Sequence, residues 1–174
     1  MVLKYLDESG FSLCLPPAYT WTLKGQANQH RVRTRWGKEG RINLIGTLPL
    51  EGEGEQLLEY QMLERSCRSG EVVAYLNLLA SLAEREGKRV VVVLDNAPFH
   101  TAKVVKEEGR ARWEAQGLKL YYLPSYCPHL NPIEGVWRRL KGFLMPRRFY
   151  DSLEELREAV LSALRLLGAV ELQC

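Results

Sequence analysis

The chain lacks any long apolar run. Nowhere do apolar residues continue for the roughly 20 positions that a bilayer-spanning helix requires. The apolar part of the N-terminal stretch MVLKYLDESG is too short for a secretory signal and enters a strand pattern at once. A membrane partner is therefore not expected, and a cytoplasmic location is. Cysteine is sparse. Cys14, Cys67, Cys127 and Cys174 are scattered and form no C-x-x-C pair, which argues against a structural zinc site and for reduced thiols. Histidine is rarer still, with three residues and no cluster, so a centre built on imidazoles is not expected. Internal repeats and low-complexity segments are absent. At 174 residues the sequence reads as one domain.

Charge of one sign is also lacking overall, since 24 Lys and Arg face 21 Asp and Glu. The distribution is less even than the total. Six cations (Lys24, Arg31, Arg33, Arg35, Lys38, Arg41) stand against the single acid Glu39. A second group holds Arg138, Arg139, Lys141, Arg147 and Arg148. Such clusters suit a polyanion, although either alone is equally readable as a solvated face. If residues 29–35 are extended, Arg31, Arg33 and Arg35 share one face.

What is present is organised around Val90–His100. Five apolar residues, Val90 to Leu94, run directly into Asp95, followed by the strand breakers Asn96 and Pro98. A short, β-branched run of this kind reads as a strand buried on both faces. A carboxylate at the end of such a strand loses water and needs a cation in return. Around it, Val2–Asp7 and Phe11–Leu15 read as a hairpin across Ser9-Gly10, and Arg41–Leu48 as a third strand. Gly46 within it marks a bulge or a close approach. Residues 56–68 fit a strand or a helix. Val72, Val73, Leu76, Leu79, Ala80 and Ala83 have helical spacing, closed by Gly87. Thr101 is read as the cap of a helix to Gln116, and Leu118–Leu123 as a further strand. Asn131 is read as a cap with Pro132 at the first helical position, and Ser152-x-x-Glu155 as the capping box of a last helix to Leu167. The order β-β-β-α-β-α-β-α-α predicts an α/β fold. Its mixed five-stranded sheet would have three antiparallel strands followed by β-α-β units, with helices on both faces. If the first strand lies beside the fourth, Asp7 and Asp95 end together at a topological switch point.

Three acids then stand out: Asp7, Asp95 and Glu134, the last 39 positions after Asp95. Converging carboxylates repel unless a cation lies between them. Hard oxygen donors select Mg²⁺ or Mn²⁺. Two such ions, about 3.5–4 Å apart, suit phosphodiester cleavage. Glu8 adjoins Asp7, and the residues alone do not say which of the two is the first ligand. Asp95 is equally readable as a turn residue, and Glu134 as a favourable charge at a helix start.

The blocks DESGF (Asp7–Phe11), LDNAPFHTAK (Leu94–Lys103) and YLPSYCPHLNPIEGVWRRLK (Tyr122–Lys141) resemble those of DDE transposases, specifically bacterial insertion-sequence transposases of the mariner-like superfamily. The third block is long and specific; DESGF alone is weak. The resemblance takes in Lys24-Gly25-Gln26 and Gly46, and so covers most of the chain. It implies a ribonuclease H-like catalytic domain with Asp7, Asp95 and Glu134 as the acid triad on two divalent ions, Mg²⁺ or Mn²⁺. It further implies DNA partners (transposon ends and target) and a homodimer. The gap from Asp95 to Glu134 is slightly longer than usual there, which is assigned to a loop insertion. The helix-turn-helix domains of such transposases are absent from this chain, and a separately encoded half is one expected source of them.

Beside the triad, Glu8, Asn96, His100 and Asn131 are the residues expected to support it. Asn96 is placed on a metal-bound water, a phosphate or a turn, and His100 in a structural hydrogen bond or on a phosphate. Lys24, Arg31, Arg33, Arg35, Lys103, Arg138, Arg139 and Lys141 are expected to follow a DNA backbone. Trp137 is expected in the core, and Trp21 and Trp36 either buried or stacked on bases. Two rival functions remain: another ribonuclease H-like nuclease, and a non-catalytic DNA-binding or dimerisation remnant of a transposase.

Overall fold

Strand β1 (Val2–Ser12) is the longest in the protein and runs through the middle of the sheet. The computed structural model describes residues 1–14, 24, 40–50, 57–125, 127–145 and 149–173. Strand β2 (Arg41–Leu50) pairs antiparallel with β1 without a break, from Leu3 opposite Leu50 to Ser12 opposite Arg41. The expected hairpin is therefore wrong: Ser9-Gly10 lies inside one continuous strand. Ten ladder positions outweigh the local turn preference of two residues. The ambiguous stretch after residue 56 resolves as β3 (Glu59–Leu63), antiparallel to β2.

Helix α1 (Ser69–Glu86) buries Val72, Tyr75, Leu76, Leu79, Ala80 and Ala83, one stripe at helical spacing. Each such aliphatic contributes about 1.5–3 kcal/mol on burial. Gly87 ends the helix in the left-handed region, at φ 61°, and its N–H returns to the helix's last carbonyls. Strand β4 (Val90–Leu94) follows, parallel to β1. The helix expected from Thr101 to Gln116 is broken. A π-helical turn (Val104–Glu108) precedes a short α2 (Arg110–Ala115). Thr101 does not cap it, because its hydroxyl turns back to the carbonyls of Ala97 and Pro98. Gly109 between the two pieces lies under the Trp113 ring.

Strand β5 (Leu118–Tyr122) is parallel to β4. Helix α3 (Ile133–Arg139) runs into a second π-helical turn (Leu140–Leu144). Helix α4 (Leu153–Leu167) is capped by Ser152, whose Oγ accepts from the Glu155 N–H at 3.1 Å. A two-residue strand, β6 (Val170–Glu171), adds parallel to β3. Among the described residues the sheet thus has six strands, not five, in the order β5-β4-β1-β2-β3-β6. Two residues are too few to show an alternating pattern in a sequence.

The two faces carry separate cores. One packs α1, Val105 and Trp113 on Leu6, Ile45, Val92 and Leu118. The other packs α3 and α4 on Phe11, Leu44, Leu48 and Tyr60. Alternation along β1 assigns even positions such as Leu6 to the first face and odd positions such as Phe11 to the second. No helix among the described residues is long and apolar enough to cross a membrane.

Candidate active site

The β1–β4 register pairs Tyr5 with Val93; continued by two residues, it sets Asp7 level with Asp95. Parallel neighbours lie about 4.8 Å apart, so the two acids share one end of the sheet. Asp7 does not end its strand, as expected. It sits mid-strand, buried, with Gly46 of β2 opposite. Beyond β4's end, β1 continues past Asp7 for five more residues, held by β2 alone.

Asp7 and Glu8 point to opposite faces. Asp7 meets α3, where its Oδ2 accepts the Trp137 indole N–H at 3.1 Å. Gly46 makes this approach feasible. A Cβ there would stand 3.1 Å from the Trp137 ring and 2.8 Å from the Glu59 carbonyl. The glycine therefore marks a close approach and not a bulge. Glu134 lies three residues before Trp137 on α3, on the same side of that helix. The residue is exposed, and its carboxylate makes no hydrogen bond or ion pair among the described residues.

Glu8, on the other face, is joined to Asp95 through His100. The imidazole is fully buried. Its Nδ1–H donates to Asp95 Oδ1 at 2.6 Å and its Nε2–H to Glu8 Oε1 at 2.7 Å. Burial pushes the ring towards neutrality. The hydrogen bonds to Asp95 and Glu8 outweigh it and lift the pKa to about 9, so the ring is an imidazolium. The same bond, aided by the Ala97 N–H at 2.9 Å, holds Asp95 below the usual carboxylate range against partial burial. Asp95 Oδ2 makes no hydrogen bond among the described residues. The backbone carbonyl of His100 accepts from the Tyr122 hydroxyl at 2.9 Å, tying this segment to β5.

Asp7 carries the electrostatic strain of the site. Burial, then the charges of Glu8 and Glu134 and, more weakly, Asp95, raise its pKa to about 7; the Glu8 backbone N–H partly offsets this. As placed, no three His, Cys, Asp or Glu side chains among the described residues close to metal-ligating range. The coupling is electrostatic. The donor set nevertheless fits a hard divalent cation: its oxygens are carboxylate oxygens, their repulsion is of the kind a cation offsets, and Glu134 and Asp95 Oδ2 are uncommitted.

The remaining expected residues divide. Asn96 donates from Nδ2 to the Leu123 carbonyl and clamps the loop after β4 to the end of β5. A cleft of about 350 Å³ opens beside it, lined by Asp95, Asn96, Ala97, Leu123, Pro124, Ser125 and Cys127. Asn131 is not a side-chain cap. Pro132 takes that position, and Asn131 offers its backbone carbonyl to the Glu134 N–H at 3.2 Å. Its buried Oδ1 has no hydrogen-bond partner among the described residues. Lys24, Lys103, Arg138 and Arg139 are exposed. Lys141 turns inward, its Nζ 5.1 Å from the centre of the Phe11 ring. Arg31, Arg33, Arg35, Trp21, Trp36, Arg147, Arg148 and Cys174 lie outside the described residues; Cys14, Cys67 and Cys127 form no disulfide with one another. Two contacts escape sequence reasoning: the Trp137–Asp7 bond and the Glu8–His100 bond. The odd–even alternation of β1 is the signal that separates Asp7 from Glu8, but it required the strand to be read as continuous.

Comparison with known proteins gives a consistent picture. A family model described as DDE superfamily endonuclease matches residues 2–157. An uncharacterized protein, y4pE/y4sA, of Sinorhizobium fredii (strain NBRC 101917 / NGR234) is 25% identical over 71 residues, which are 41% of this chain and 47% of that protein. Among solved structures, a pre-cleavage Mos1 transpososome superposes with a TM-score of 0.63 at 18% identity, covering 97% of this chain and 49% of that one. The Mos1 transposase paired-end complex with left transposon end gives 0.62 at 18%, covering 95% and 51%. The Mos1 transposase catalytic domain with Raltegravir and Mg gives 0.53 at 15%, covering 97% and 72%. The fold is therefore ribonuclease H-like, as in these catalytic domains. The chain spans about half the length of the curated relative and of the two larger Mos1 chains.

Proposed function

The chain belongs to the DDE superfamily endonucleases, and from that premise we propose that it cuts DNA at transposon ends with Asp7, Asp95 and Glu134 as its catalytic acids. The observation that carries this reading is the parallel pairing of β1 with β4. It sets Asp7 level with Asp95, while the Trp137 bond brings the helix of Glu134 to the same end. Asp7, Asp95 and Glu134 would hold two divalent cations, Mg²⁺ or Mn²⁺. Bound there, the ions supply activation of the attacking water and neutralisation of charge on the leaving oxygen.

The protein's own part is placement. The imidazolium of His100 fixes one oxygen of Asp95, and the other takes no hydrogen bond among the described residues. Glu8 balances the imidazolium from the opposite face, which supports a positioning role for Glu8 and the choice of Asp7 as the first ligand. Asn96 holds the loop that carries Asp95. Asn131 starts the helix of Glu134 through its backbone. Hydrolysis would break the bond between phosphorus and the 3′-oxygen, leaving a 3′-hydroxyl. That hydroxyl would then attack a target phosphodiester in the same site, forming a new phosphorus–oxygen bond and displacing the target strand's own 3′-oxygen, which leaves as a 3′-hydroxyl.

The setting proposed is a bacterial insertion sequence, with transposon-end and target DNA as partners, a homodimer as the working unit and a separately encoded helix-turn-helix half. Lys24, Lys103, Arg138 and Arg139, together with Arg31, Arg33 and Arg35, would follow the DNA backbone. The complexes of Mos1 with a transposon end and with Mn or Mg support the choice of partner and ion. The test is Asp95→Asn on a panel of supercoiled plasmid, transposon-end duplex and RNA–DNA hybrid with Mg²⁺. Cleavage of DNA by the native chain and a fall of at least about 100-fold in the variant are expected, with the fold intact by circular dichroism. Retained Mg²⁺-dependent cleavage removes Asp95 from the chemistry; cleavage confined to the hybrid removes transposition.

A further inference from the structure

Two cations bracket β1 just beyond the acids. The Arg41 guanidinium lies across Gly10, where any Cβ would collide with it. The Lys141 ammonium lies over the Phe11 ring at 5.1 Å. Gly10 and Phe11 are consecutive, so the two charges stand on opposite faces of the same strand. Both belong to the stretch of β1 that has run past the end of β4 and is paired only by β2.

Holding like charges close to one another costs free energy that an anion would recover. Burial and the Arg41 charge draw the Lys141 pKa down, while Glu134 and Asp7 draw it up. Lys141 therefore feels both the partner cation and the acid site. Arg41 has no carboxylate partner among the described residues. Its seat is built by the sequence: Gly10 supplies the flat backbone on which the guanidinium rests, and Phe11 supplies the ring face for the ammonium.

We propose that Arg41 and Lys141 form a two-sided clamp for the DNA phosphates adjoining the one that reacts. The proposal rests on the endonuclease reading and refines where the substrate strand runs. Gly10 and Phe11 are three and four residues from Asp7, about 10–13 Å along a strand. Duplex DNA carries one charge per about 3.4 Å of axis on each strand. The clamp therefore meets phosphates within about four nucleotides of the cleaved bond. Arg41 is suited to a bidentate grip on phosphate oxygens and Lys141 to a point charge.

The test uses the full chain with Arg41→Gln, Lys141→Gln and the double variant. Binding to a labelled duplex is followed by anisotropy across a salt series, then repeated with single methylphosphonates walked along a short duplex whose pre-cut 3′-hydroxyl end fixes the register. The slope of log K against log[salt] should fall by about 0.9 for each single variant and about 1.8 for the double. The native chain should lose affinity when a phosphate within about four nucleotides of its own cleavage position is neutralised, and the double variant should be indifferent there. Gly10→Ala, which unseats the guanidinium, should reproduce Arg41→Gln; Lys119→Gln, exposed at the opposite end of the sheet, should keep the native methylphosphonate pattern. An unchanged slope, or a double variant still sensitive at those phosphates, overturns the clamp. A native chain that nicks DNA with metal while the variants bind normally rejects the clamp alone; a native chain that neither binds nor nicks DNA rejects the endonuclease reading beneath it.

Discussion

Asp7 is the carboxylate whose ionisation the fold opposes most. Burial and three neighbouring acids raise its pKa to about 7 from an ordinary 3.8. The native state therefore holds this proton over a window, from about pH 4 to pH 7, in which the unfolded chain has released it. Stability from this group is full below pH 4, falls as pH rises through that window, and is lost above pH 7. Three units bound the loss at about 4 kcal/mol, and relaxation brings it nearer 2 kcal/mol. Asp7→Asn keeps an acceptor for the Trp137 N–H and removes the charge. In metal-free buffer at pH 8 it should raise Tm by about 4–8 °C. Mg²⁺ should then stabilise the native chain and leave the variant unmoved. Scanning calorimetry with and without Mg²⁺ decides it; a variant that melts lower than the native protein, or gains equally from Mg²⁺, contradicts both the repulsion and the proposed ligand role.

Strand β1 and helix α3 meet through a glycine, and this contact decides whether the acids share a site. Gly46 leaves space for the Trp137 ring, and Trp137 holds Asp7. Gly46→Val would press a branched side chain against the Glu59 carbonyl and that ring. Overpacking of this kind costs about 1–3 kcal/mol. The variant should lose Mg²⁺-dependent nicking far beyond what its lowered Tm explains, because α3 carries Glu134. Full nicking at a temperature where the variant is folded would show that α3 can shift without harm. Much of this arrangement was legible in the sequence. Val90–Leu94 running into Asp95 named its own strand, and the 3.6-residue stripe of α1 named its helix. The β-α-β order allowed β1 to lie beside β4 but did not require it; that pairing is a contact between distant segments, visible only in the fold. The strand at Ser9-Gly10 was misread because turn propensity is local, whereas the ladder to β2 is a contact between distant segments. Thr101 and Asn131 look like caps by residue type, but their neighbours' carbonyls and Pro132 took those roles. Glu8 and His100 are 92 positions apart, and no local pattern links them. Only the unbroken alternation of β1 could have put Glu8 on the face opposite Asp7.

Taken whole and under the proposed function, the described residues offer charges to a DNA backbone at several points and gather their acids at one end of the sheet. The exposed cations at Lys24, Lys103, Arg138 and Arg139 and the bracket at Arg41 and Lys141 all suit phosphate, which carries no sequence information. Base readout requires side chains in a groove, and under the proposed function that work belongs to a helix-turn-helix half. The chain by itself should then bind duplexes of unrelated sequence with Kd values agreeing to within about threefold, each falling steeply with salt. Nicking should follow the same indifference, because the acids act on the phosphodiester wherever the backbone is seated. Competition anisotropy between a transposon-end duplex and a shuffled duplex of equal composition measures the first; mapping nicks on a plasmid measures the second. A preference of more than about tenfold for the end sequence, roughly 1.4 kcal/mol, matches a good base contact. It would mean that this domain itself reads DNA, and the division of labour between catalysis and recognition would have to be redrawn around the cleft beside Asp95.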